Sequence, residues 1–125
     1  MLDPNLDVLL AEDDPVTRRM VSGQLQRLGV QTIRQVEDGR LALEEIARQM
    51  PQVLITDWSM PRVNGLQLLQ IIRKHEALKS LPVLMITSRS EKEYVLTAAQ
   101  EGVSSYIVKP FDVQTLEAKL SKILV

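Results

Sequence analysis

Residues 53–65 read VLITDWSMPRVNG. Val53 to Thr56 form an apolar, largely branched run that predicts a buried strand, and the strand is expected to end on Asp57. Pro61 and Gly65 then turn the chain before a helical pattern resumes at Leu66. In open α/β sheets, ligands bind outside the carboxyl ends of the strands. An acid at that end makes the other strand ends of the chain the residues that matter.

Outward from this stretch the same unit repeats. Toward the C-terminus, Pro82 introduces a strand, VLMIT, at 83–87, and residues 91–101 form a helix closed by Gly102. A fifth strand spans 104–108 and runs into Lys109-Pro110-Phe111, with a last helix from about Asp112 through Leu116, Leu120 and Ile123. Toward the N-terminus, a short strand, Val8 to Ala11, stops abruptly at Glu12, Asp13 and Asp14. Asp14 followed by Pro15 is a helix start, with a carboxylate N-cap and proline at the first helical position. Val16, Met20, Val21, Leu25 and Leu28 form the expected apolar stripe, closed by Gly29. A weaker strand over 30–36 and a helix starting at Asp38-Gly39, carrying Leu41, Leu43, Ile46, Ala47 and Met50, complete the first half. Asn64 caps the helix that follows the opening stretch, with Leu66, Leu68, Leu69, Ile71 and Ile72 as its apolar set, ending near His75.

The pattern is (βα) five times with short connections, which predicts a parallel five-stranded sheet with helices on both faces. For five strands the flavodoxin-like order 2-1-3-4-5 is the one expected, with a crevice beside strands 1 and 3. The 125 residues, 45% hydrophobic and 25% charged, fit one domain over 1–125. A net charge of -1 supplies no basic field for direct nucleic-acid binding. The absence of cysteine excludes disulfides and thiolate zinc sites, and the single histidine excludes a multi-histidine metal site. No apolar run approaches the roughly 18 residues of a membrane span, and MLDPNLD lacks signal-peptide character, so a cytoplasmic location is expected. The five methionines are expected as core filler.

The strand ends bring Glu12, Asp13, Asp57, Thr87 and Lys109 to one rim. Two like charges about 4 Å apart repel by roughly 4 kcal/mol at an effective dielectric near 20. Three carboxylates therefore need a partner, and a hard divalent cation such as Mg²⁺, which takes oxygen ligands and pairs with phosphate, suits them. Lys109 adds a point charge for an anion and Thr87 a hydroxyl donor. These parts suit phosphoryl transfer, which is mostly positioning and charge neutralisation, with Asp57 as a nucleophile able to form an aspartyl-phosphate. Each residue also has a plainer reading. The acids after strand 1 favour a helix N-terminus, Asp57 can stabilise a turn, Thr87 can close a strand, and Lys109 can lie along the surface.

Glu12-Asp13, DWSMPRVNG around Asp57, Thr87 after VLMI, and Lys109-Pro110-Phe111 together carry a resemblance. The chain resembles a response-regulator receiver domain of two-component signalling over essentially its whole length, most like the single-domain receivers of bacterial chemotaxis. The resemblance implies Asp57 as phosphoacceptor, with Lys109 and Thr87 contacting the incoming phosphoryl oxygens. It implies a Mg²⁺ or Mn²⁺ ion held by Asp13, Asp57, the Ser59 backbone carbonyl and, through water, Glu12. It further implies a cis Lys109–Pro110 bond, Thr87 and Tyr106 as switch residues, and Ser59 and Arg89 as positions that tune phosphoryl lifetime, Arg89 either clamping the phosphoryl group or pointing to solvent. The implied partners are a sensor histidine kinase or histidine phosphotransfer protein, and a downstream protein target or fused output domain. The output face would be built from the fourth helix, fifth strand and fifth helix. Such a protein catalyses its own phosphorylation and dephosphorylation without turning over a separate substrate.

Three other readings stand beside it. An aspartate-nucleophile phosphohydrolase typically needs a second acid two residues after the nucleophile, where Ser59 stands. A flavin-binding module needs a hydroxyl-rich phosphate cradle where acids stand. A receiver-like interaction domain that is never phosphorylated needs none of the rim residues, all of which are present. Trp58 is expected beside the site and partly exposed, and Tyr94 or Val95 is the expected exposed excess of the fourth helix. His75, in the polar stretch HEALKS, lacks the helical-bundle context of a phosphodonor.

Overall fold

In the computed structural model, which describes residues 1–124, strand and helix alternate five times; Val125, the last residue of the expected domain, lies outside the described residues. The elements are β1 (Asp7–Ala11), α1 (Pro15–Arg27), β2 (Thr32–Val36), α2 (Gly39–Arg48), β3 (Val53–Asp57), α3 (Gly65–Lys74), β4 (Val83–Thr87), α4 (Lys92–Gln100), β5 (Ser105–Val108) and α5 (Val113–Ile123). The strands form one sheet in the expected order, β2-β1-β3-β4-β5, and every pairing is parallel. β3 and β4 are buried along their whole length, while β2, on the edge, is partly exposed. That edge position explains why its sequence pattern is the weakest of the five.

Successive strand side chains point to opposite faces, and this divides the core in two. Val8, Leu10, Val53, Ile55, Leu84 and Ile86 face α1 and α5, where Val21, Leu25, Leu116 and Leu120 close the layer. Leu9, Ala11, Leu54, Val83 and Met85 face the other way, under Ala42 and Ile46 of α2, Leu68, Leu69 and Ile72 of α3, and Ala98 of α4.

Side-chain caps start four of the helices. Asp14 accepts from the backbone N–H groups of Val16 and Thr17 at α1. Asp38 accepts from Leu41 at α2, and Asp112 from Thr115 at α5. Asn64 and Gln67 form a reciprocal capping box at α3. α4 has no side-chain cap.

Several apolar expectations are corrected. Val16 and Met20 are 67% and 38% exposed, while Val21, Leu25 and Leu28 are buried. Val16 stands about 140° around the helix from Val21, so the five residues never shared one narrow stripe. Met50 and Ile71 are also exposed. Only Met60 and Met85 act as core filler; Met1, Met20 and Met50 face solvent. On α4 the exposed large apolar residue is Leu96, at 49%, whereas Tyr94 and Val95 are half-buried.

Candidate functional site

The parallel register sets the site. Ala11 pairs with Thr56, so the next position brings Glu12 level with Asp57. On the other side Asp57 pairs with Ile86, and Thr87 pairs with Val108, which puts Thr87 and Lys109 just beyond the same edge. The backbone N–H of Lys109 donates to the Thr87 carbonyl at 2.9 Å, and Lys109–Pro110 is cis, as the resemblance implied.

Asp57 is only 6% exposed. One carboxylate oxygen accepts the Trp58 N–H at 2.7 Å, and the other lies 3.5 Å from the Lys109 ammonium. Lys109 sits closer to Glu12, donating to its Oε1 at 3.0 Å. The remaining Glu12 oxygen accepts the Asp14 N–H at 3.2 Å, and Arg18 donates to the Glu12 backbone carbonyl at 2.7 Å. Glu12 is fully buried, and burial pushes its carboxyl up to about 7, the Lys109 hydrogen bond pulling down and the Asp57 charge pushing further up. Glu12, Asp13 and Asp57 each offer a carboxylate oxygen within 4.8 Å of the others. One ammonium against three carboxylates leaves a deficit of positive charge, and an all-oxygen donor set fits a hard divalent cation. Asp13 is exposed, so the cluster opens toward solvent on its side.

The loop after Asp57 is held close. The Gly65 N–H donates to the Trp58 carbonyl at 2.8 Å, and a Cβ at Gly65 would lie 2.0 Å from the Asp57 carbonyl oxygen. Arg62 adopts a left-handed backbone, φ 66°, and its guanidinium reaches the buried Asp38 at 3.0 Å. The Gly39 N–H donates to the Val63 carbonyl at 3.0 Å, with no room for a Cβ on Gly39. The start of α2 thus anchors the loop that carries Ser59. In the sequence Asp38-Gly39 signals a turn and a helix start, and nothing local announces a contact to residues 24 positions later.

On the β4 side, Thr87 is buried and its hydroxyl oxygen accepts the Arg89 N–H at 3.2 Å. Tyr106 is half-buried, its hydroxyl donating to the Arg89 carbonyl at 2.7 Å, and burial raises its phenol above the usual range. One residue, Arg89, therefore bonds both expected switch side chains through its backbone. Its guanidinium does not point freely to solvent, and among the described residues it pairs with no acid. It lies 4.7 Å over the Tyr94 ring and donates to the Ser59 hydroxyl at 3.3 Å. Its buried Nε finds no hydrogen-bond partner among the described residues. Trp58 meets Tyr94 edge-on, centroids 5.2 Å apart, and is 8% exposed. Trp58 is therefore buried, against the expectation of partial exposure, because Tyr94 covers it. No periodicity or motif marks this stack; it arises between two loops and a helix. A cleft of about 520 Å³ opens here, with Asp13, Ser59 and Arg89 on its walls.

A family model described as response regulator receiver domain matches residues 8–121. The chain is 42% identical over 123 residues to the chemotaxis protein CheY-3 of Vibrio cholerae, covering 98% of this chain and 95% of that one. It is 38% identical over 118 residues to the chemotaxis protein CheY of Pseudomonas aeruginosa, covering 94% and 95%. Among solved structures, the chemotaxis response regulator CheY4 of Vibrio cholerae matches with a TM-score of 0.86 at 31% identity, over 95% of this chain and 98% of that chain.

Proposed function

This chain belongs to the response regulator receiver family, and from that premise we propose that it is a phosphorelay switch that accepts a phosphoryl group on Asp57. The observation that carries the reading is the Glu12–Lys109–Asp57 arrangement, with Lys109 at 3.0 Å from one carboxylate and 3.5 Å from the other. The donor is a phosphohistidine on a sensor kinase or histidine phosphotransfer protein. A carboxylate oxygen of Asp57 attacks phosphorus in line, the P–N bond breaks, and the imidazole leaves with its electron pair and takes a proton. Asp13 and Asp57, with the Ser59 backbone carbonyl and with Glu12 through water, would hold a Mg²⁺ or Mn²⁺ ion whose charge offsets the carboxylates and the phosphoryl oxygens. Lys109 stays within reach of Asp57 and neutralises an oxygen of the transferred group, and Thr87 donates its hydroxyl to another. Ser59 and Arg89, on the cleft walls, influence how long the phosphoryl group survives.

Phosphorylation adds up to about two negative charges and three strong acceptors. Drawing Thr87 toward them disturbs its bond from the Arg89 N–H, and Tyr106 is tied to the same residue's carbonyl. Both switch residues thereby feel one event, and the α4–β5–α5 face shifts its populations toward a downstream protein target or a fused output domain. The setting proposed for this relay is the cytoplasm; among the described residues, no helix is long and apolar enough to cross a membrane. A phosphohydrolase reading is disfavoured by Ser59 in the place of a second acid.

Incubation with acetyl phosphate and Mg²⁺, followed by intact-mass measurement, tests the reading. Wild type is expected to gain one phosphoryl group and Asp57→Asn none. No gain in wild type, or an equal gain in Asp57→Asn, overturns it; sustained release of phosphate from an added monoester would favour the phosphohydrolase.

A further inference from the structure

We propose that Tyr94, backed by Trp58, is a positioning residue that holds Arg89 as a bar across the cleft beside Asp57 and so slows hydrolysis of the phosphoryl group. This deepens the proposed function and rests on phosphorylation of Asp57.

The geometry is specific. Arg89 follows β4 and Ser59 follows β3, two adjacent strands, so the 3.3 Å guanidinium-to-hydroxyl bond joins the loops on either side of the cleft. That single neutral acceptor is a weak hold for a long side chain, and the buried Nε has no acceptor among the described residues. The Tyr94 ring, 4.7 Å below the guanidinium, supplies the remaining attraction and fixes its plane. Trp58 in turn fixes Tyr94: the two rings meet at 89°, the edge-to-face arrangement that aromatic pairs favour. Trp58 directly follows the phosphoacceptor and Tyr94 lies on α4, so the stack links the site to that helix.

Hydrolysis of the aspartyl-phosphate requires a water to attack phosphorus in line as the bond to the Asp57 oxygen breaks. The carboxylate is regenerated, and the water's oxygen and protons leave with inorganic phosphate. The cleft walled by Asp13, Ser59 and Arg89 adjoins Asp57, whose carboxylate lies within 4.8 Å of that of Asp13, so a water reaching phosphorus through this cleft passes Arg89 and Ser59. A fixed bar there limits the approach; a guanidinium freed from its ring leaves the path open.

Loss of the label is followed by intact mass after acetyl phosphate is removed, for wild type, Tyr94→Leu, Tyr94→Phe, Arg89→Ala and the Arg89→Ala/Tyr94→Leu pair. Thermal melts accompany each variant as a check on folding. Tyr94→Leu is expected to lose phosphate roughly threefold to tenfold faster than wild type, the range a cation–π contact of this kind supports. Tyr94→Phe, which keeps the ring, should retain the wild-type rate. The double variant should decay no faster than Arg89→Ala alone, since Tyr94 acts through Arg89. Wild-type decay in Tyr94→Leu, additive acceleration in the double variant, or slower decay in Arg89→Ala overturns the proposal while leaving Asp57 as phosphoacceptor. Failure of wild type to take up label at all overturns the phosphoacceptor reading, and this inference with it.

Discussion

Glu12 holds opposing demands at one residue. Its carboxylate must be anionic to form an ion pair with Lys109, and the proposed cation site asks the same of it, yet it is completely buried and faces the Asp57 charge. The consequence is a defined pH dependence. Its folded-state pKa is raised from 4.5 to about 7, so between these values the folded chain binds more protons at this site than the unfolded one. Unfolding free energy contributed by Glu12 therefore falls as pH rises from about 4.5 to about 7. Urea melts across that range in chelator should show the fall in wild type and a flatter profile in Glu12→Gln, and added Mg²⁺ should reduce the wild-type fall. Identical profiles for the two proteins would remove Glu12 as the cause. Asp14 and Asp112 work in the opposite sense: hydrogen bonds from Thr17 and Thr115 hold their carboxyls low. Their contribution is present at neutral pH and is lost as pH falls through the acid range.

Two glycines separate the demands placed on the elements. Gly65 opens α3 where a Cβ would collide with the Asp57 carbonyl oxygen at 2.0 Å, whereas Gly23, inside α1, has nothing within 4 Å. The clash at Gly65 is with backbone, which cannot step aside without moving Asp57, the proposed phosphoacceptor. Gly65→Ala is therefore expected to slow phosphoryl uptake from acetyl phosphate and to lower stability. Gly23→Ala should raise stability by about 0.5–1 kcal/mol, because alanine loses less backbone entropy in a helix, and should leave uptake unchanged. Uptake by Gly65→Ala at the wild-type rate would show that the close approach is dispensable. The anchoring of the same loop by Asp38 and Gly39 is equally an element-level device, since it ties the loop of one β–α unit to the helix start of another.

At the scale of the molecule, the sheet order puts the two fully buried strands, β3 and β4, beneath the site and leaves the weakly patterned β2 at the edge. Rigidity is thus greatest under Asp57 and Thr87. Leu54, fully buried between β1 and β4, should cost about 2–5 kcal/mol when replaced by alanine. Leu96, 49% exposed on α4, should change stability by no more than about 0.5 kcal/mol on the same replacement. Urea titration reads both, with the slope expected to stay constant in each. A large loss at Leu96 would mean that α4 is more tightly integrated into the core than its exposure implies.

The sequence alone determined the alternation of strands and helices and the gathering of Glu12, Asp13, Asp57, Thr87 and Lys109 at one rim, while the strand order was expected from the common five-stranded arrangement and is fixed by the structure. The alternation and the rim follow from short-range periodicity, from capping residues such as Asp14 and Asn64, and from the rule that parallel strands end at a common edge. The same reasoning could not separate Val16 and Met20 from the buried face of α1, because both flanks of that helix carry apolar residues. Only the tertiary structure decided that Trp58 is covered, that Asp38 and Arg62 pair across two β–α units, and that Arg89 rests on Tyr94 rather than reaching into solvent. Those contacts depend on where side chains from separate elements point once the sheet is assembled. Backbone periodicity repeats along the chain and is legible in it, whereas a side chain's direction is selected by neighbours that the chain brings together only on folding.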